Sequence, residues 1–157
     1  MATKKPLVLG ADGRPQQLQS GDTLGITSET GQLSQTADAT LIAGNVVYTT
    51  AADHVGKAKA DAAGTAFGVG LATAAITSAA AGIIQYNGIV TLSTAQWDVA
   101  FGTTGGLTFN TTYYLSPTTA GLGTGTCPTT VGQYVVILGK AISTTELLLN
   151  IDEPVLL

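Results

Sequence analysis

The chain offers one histidine and one cysteine as side chains suited to nucleophilic or acid–base chemistry. His54 follows Asp53 and precedes Val55-Gly56-Lys57, with Lys59 and Asp61 close behind. A histidine oriented by a carboxylate is a general base, but a base needs a nucleophile to act on. No Gly-x-Ser-x-Gly elbow occurs, and Cys127 lies in Gly125-Thr126-Cys127-Pro128, which reads as a loop. The stretch Ala51–Gly56 is therefore read as a surface turn. One histidine and one cysteine do not make a usual three- or four-ligand zinc site without carboxylates, and no such cluster is evident in the sequence. No catalytic, cofactor-binding or metal-binding residue is expected, and the chain is not read as an enzyme.

Glycine-rich segments raise the question of phosphate binding. Gly102-Thr103-Thr104-Gly105-Gly106 lacks the Gly-Lys-Ser/Thr ending of a phosphate loop, and Gly68-Val69-Gly70 lacks the third glycine of a dinucleotide fingerprint. Both read as turns and close-packing positions. Asn110-Thr111-Thr112 matches a glycosylation sequon, taken as a chance match because no signal peptide is visible. Trp97, Phe101, Phe109, Tyr113 and Tyr114 cluster in sequence, with Tyr134 further on. Exposed on one face, such rings would make a carbohydrate platform. The reading preferred here places them in a β core, with Trp97, Tyr113 and Tyr114 serving the core or an oligomer interface.

The elements that must position these residues are short and weakly charged. The 157 residues are enough for one domain with a real core. Charged residues make up only 10%, against roughly 25% in an ordinary soluble domain. Mean hydropathy is +0.33. With six basic residues, net charge −4 and a pI near 4.6, the chain is a poor candidate for nucleic-acid binding. Phe67–Ile84, the most apolar stretch, is interrupted by glycine, serine and threonine and is too poor in large side chains to cross a membrane.

Two regions are expected. Residues 1–40 hold half of the basic side chains (Lys4, Lys5 and Arg14) and then a polar stretch, Thr27–Ala39, with almost no large apolar residue. They read as an extended N-terminal arm or linker that orders against a partner or stays mobile. Residues 41–157 read as an all-β domain, a compact sandwich or barrel. Short β-branched and aromatic runs recur there: Val46–Thr50, Phe67–Ala72, Ile83–Tyr86, Gly88–Leu92, Thr112–Ser116, Gln133–Gly139 and Glu146–Ile151. Asn87-Gly88 suggests a tight turn or bulge between two of these runs. Ala72–Ala81 reads as a loop or a strand of small side chains, with a one-turn helix allowed, and Ser93 is placed to cap a short helix over Thr94–Asp98.

A surface this poor in ions loses little on being covered, since interface cores are depleted in Lys, Glu and Asp. A structural, assembling role thus precedes any family. The opening Lys5-Pro6-Leu7-Val8-Leu9-Gly10-Ala11-Asp12-Gly13-Arg14-Pro15, continuing through Gln16–Leu24, resembles the N-terminal segments of tailed-bacteriophage virion proteins. Thr91–Asp98, Gly105–Thr108, Tyr113–Pro117, Val131–Val136 and Gly139–Ala141 are similar to phage β-modules, with Phe109-Asn110-Thr111 departing from a usual glycine. With no heptads and no shaft repeat, the chain looks most like a capsid decoration, or cement, protein.

That resemblance implies a homotrimer, made in the host cytoplasm, on the outer capsid surface of the virion. It would bridge neighbouring subunits of the major capsid protein without a cofactor, a membrane or direct nucleic-acid contact. The arm would supply the capsid contacts, through Lys4, Lys5, Leu7, Leu9, Arg14 and Leu18. A tail or head-fibre module binding a host receptor or glycan is the alternative.

Overall fold

The computed structural model describes residues 31–67 and 69–157, together with the backbone of two short strands, β1 (Leu7–Leu9) and β2 (Pro15–Gln17), which pair antiparallel. The described residues are mostly β, as expected.

Five strands close a small barrel: β3 (Gln32–Ala37), β4 (Val46–Ala51), β5 (His54–Lys57), β6 (Val69–Ala72) and β7 (Ala81–Gln85). Their order around it is β3-β5-β4-β6-β7, with β3 parallel to β5 and antiparallel to β7. A one-turn helix, α1 (Ala63–Ala66), joins β5 to β6. The boundary expected at residue 40 therefore moves: Gln32–Ala37 is a barrel strand that pairs with β7 along its length. Composition concealed it because its inward positions are Gln35 and Ala37, neither a large apolar residue. His54 likewise opens a strand rather than sitting within a turn, the turn being confined to the residues before it, where Asp53 has φ 58°.

Five further strands form a second sheet. In order of sequence they are β8 (Asn87–Thr91), β9 (Thr112–Leu115), β10 (Gly123–Thr124), β12 (Ile137–Ala141) and β13 (Glu146–Asn150), stacked as β10-β9-β12-β13-β8. The strongest β-like run in the sequence, Gln133–Gly139, is split. Tyr134–Val135 (β11) pairs with Val155–Leu156 (β14), while Ile137 onward joins the sheet. Asn87-Gly88 is not a hairpin turn either. β7 and β8 do not pair with each other, and the chain crosses from barrel to sheet at Tyr86.

Alternation along β4 places its side chains in two cores. Val47 joins Ala37, Leu41, Val55, Ala72, Ile76 and Ile84 inside the barrel. Val46, opposite Leu71 of β6, faces the other way. It packs with Trp97, Phe101, Tyr113, Leu115, Leu138, Leu147 and Leu149 between barrel and sheet. Ala72–Ala81 is a loop for most of its length, held at Ile76 by a bridge to Leu41. Helix α2 (Thr94–Phe101) caps this second core. Ser93 caps it as expected: its Oγ accepts from Gln96 N at 3.3 Å, and its backbone N–H donates to Gln96 Oε1 at 2.9 Å.

Candidate functional sites

The glycine segment after α2 answers the phosphate question from within the chain. Asp98 points out of the last turn of the helix into the loop Gly102–Gly106. Asp98 Oδ1 accepts from Gly106 N at 2.8 Å and from Thr103 Oγ1 at 2.9 Å, and Oδ2 accepts from Gly105 N at 3.0 Å. Backbone amides in this arrangement suit an anion, and the protein's own carboxylate takes the place. The Gly106 amide foremost, then Thr103 and Gly105, hold the Asp98 carboxyl below the usual carboxylate range.

Most of the aromatic cluster is core. Trp97, Phe101 and Tyr113 are buried, with ring centroids 4.9 Å and 5.2 Å apart along the series. Trp97 Nε1 donates to Thr145 O, and the Tyr113 hydroxyl accepts from Thr108 N, both at 2.9 Å. Trp97 and Tyr113 are thus monomer core and are closed to any oligomer interface. Tyr114 lies on the opposite face of β9, half-buried beside Ile137. Phe109, in contrast, is 70% exposed.

His54 has a carboxylate partner, though a different one from its sequence neighbour. Asp38, just after β3, meets His54 Nδ1 at 2.8 Å and also accepts from the Thr50 hydroxyl. Thr50 and His54, in that order, hold the Asp38 carboxyl low. The pair ties the end of β3 to β4 and β5 on the exposed barrel rim. Cys127 is an exposed loop thiol. Among the described residues, no three His, Cys, Asp or Glu side chains are grouped to hold a metal ion.

Two surface features bear on binding. The outward face of the second sheet carries a row across four strands, Thr112–Lys140–Leu148–Ile89, each residue directly opposite the next. Leu148 and Ile89 are both exposed there. The other is a cleft of about 340 Å³ where the barrel meets the segment after β13, walled by Phe67, Tyr86 and Ile151 and edged by Asp152 and Glu153. Sequence reading missed it because these residues come from separate parts of the chain, and only folding brings them together. Of the expected arm contacts, Lys4, Lys5, Arg14 and Leu18 lie outside the described residues, and Leu7 and Leu9 fall in β1, described by its backbone alone. No family model matches the chain, and neither the curated proteins nor the solved structures contain a match.

Proposed function

We propose that the protein is a structural virion component of a tailed bacteriophage that binds the outside of the capsid and stabilises the shell by bridging neighbouring capsid subunits. The observation that carries this reading is the outward face of the second sheet. Its central row sets exposed Ile89 and Leu148 beside a single charged side chain, Lys140. Such a face loses little charge hydration when covered and gains by burying apolar surface, at about 25 cal/mol per Å². Spread over many copies on a lattice, that gain stabilises the assembled shell over its separated subunits by linkage. The arm supplies the second attachment and the copies associate as trimers in this reading.

Copy number per virion, measured by gel densitometry against the major capsid protein, is the test. A number comparable to that of the capsid protein supports decoration. A handful of copies moves the protein to the tail or a vertex, where the exposed Phe109 ring favours the receptor- or glycan-binding alternative. Absence from purified virions overturns both. Deleting residues 2–24 is expected to abolish shell attachment while leaving the β domain folded.

A further inference from the structure

The cleft edged by Asp152 and Glu153 differs from every other acidic position in the described chain. Asp38 is engaged by His54 and Thr50, Asp61 by Lys59, Asp98 by the glycine loop, and Glu146 accepts from the Ser143 hydroxyl. Asp53 is, among the described residues, a single carboxylate in a turn. Asp152 and Glu153 are adjacent and exposed, and among the described residues neither is in an ion pair. They lie at the edge of a cavity with two aromatic walls and, among the described residues, no basic lining side chain.

Phe67 is 47% exposed, and Tyr134 steadies its ring edge-on at a centroid distance of 6.2 Å. Tyr86 is half-buried at the other wall, and burial pushes its phenol up, so it stays neutral across the physiological range. Held rings beside carboxylates form a receptor for a cation with an apolar or planar body. The ring faces attract the charge while the carboxylates accept its hydrogen bonds. Arginine meets both demands, by stacking and by its forked donors, and lysine meets them less fully.

We propose that this cleft docks an arginine- or lysine-bearing segment of a partner protein, the basic side chain lying between Phe67 and Tyr86 with its charge against Asp152 and Glu153. Charge supports this choice of occupant. The described residues carry three lysines against seven carboxylates, so a basic segment is drawn to this domain and an acidic one repelled. The inference does not rest on the decoration reading, since any assembly or signalling partner with such a segment would fit.

The test is a titration of the full ¹⁵N-labelled chain with the capped peptide Ac-Gly-Arg-Arg-Gly-NH₂, followed by amide shifts. Saturable shifts centred on Phe67, Tyr86, Asp152 and Glu153 are expected, weakening with salt. The surface double variant Asp152→Asn/Glu153→Gln and, separately, Phe67→Ala should each weaken binding by about tenfold. The dispersion of each variant's spectrum reports that it is folded. Equal response to Ac-Gly-Glu-Glu-Gly-NH₂, shifts confined to another surface, or indifference to all of these substitutions would overturn the proposal. So would saturable binding of a neutral oligosaccharide in the cleft without response to the arginine peptide. Virion copy number is independent of each result, so the two readings fail separately.

Discussion

Asp98 Oδ1 and the Gly106 amide, 2.8 Å apart, fasten the end of α2 to the loop that follows it. Because Asp98 titrates below its unfolded value, its contribution to stability is complete above the unfolded pKa and is lost as pH falls through the lower folded one. Asp38 is shifted the same way and contributes in the same acid window. Melting temperature is therefore expected to fall as the solution is acidified below the usual carboxylate range. Asp98→Asn should lower the neutral-pH melting temperature and flatten that acid limb, as followed by thermal unfolding across pH. An unchanged limb in Asp98→Asn would show that the loop contacts are not what acid releases.

Gly105 and Gly106 separate two costs of replacing a glycine. Both have positive φ, at 78° and 90°, but a methyl group on Gly105 would meet open space. On Gly106 it would lie 2.3 Å from the Thr144 carbonyl oxygen, a backbone atom that cannot swing aside. Gly105→Ala is expected to cost about 1 kcal/mol, from backbone strain alone. Gly106→Ala should cost roughly 1–3 kcal/mol more, from overpacking. Chemical denaturation of the two variants side by side measures the difference.

Trp97 fills the second core and donates to Thr145 O. Trp97→Phe retains a ring but loses this hydrogen bond, while Thr145 O keeps the one it accepts from Leu92 N at 3.0 Å, so the change should cost about 1 kcal/mol. Trp97→Ala adds a cavity and should cost about 3–5 kcal/mol. As Trp97 is the only tryptophan, unfolding of both variants is followed by far-ultraviolet circular dichroism rather than by indole fluorescence.

Gln35 shares the barrel-interior face of β3 with Ala37, and its Oε1 is buried without a hydrogen-bond partner among the described residues. Gln35→Met replaces the amide with an apolar group of similar shape and should stabilise the protein by about 1 kcal/mol. A loss of stability in denaturant titration would mean that the amide is satisfied in solution, by water for example.

Much of the fold was legible wherever burial needed large side chains. The runs that became β4, β7, β8, β9 and β13 carry valine, isoleucine, leucine or tyrosine at inward positions, and Ser93 announced the start of α2. β3 was not legible because its buried positions hold a polar Gln35 and a small Ala37, so its sequence looks like a polar linker. The run Gln133–Gly139 concealed a change of partners at Val136, a fact of tertiary pairing that no local pattern records. The burial of Trp97 and Tyr113 could be anticipated from their company. The acidic cleft could not, because Phe67, Tyr86 and Asp152 become neighbours only when barrel and sheet come together.

The two-sided strand β4 has a consequence for how a ribosome delivers this chain. All five barrel strands have been synthesised once Gln85 has emerged, so the barrel can close early. At that moment Val46 and Leu71 look outward, with only small residues such as Ala43, Ala58 and Ala66 of their cluster yet made. Their cover includes Trp97 and Tyr113 and is completed by Leu147 and Leu149 of β13, the strand that also pairs with β8. Translation at about 5–20 residues per second leaves that flank bare for several seconds. A half-made chain that closes its barrel at this point carries a greasy side, the surface that a chaperone, or a second nascent chain, would first meet.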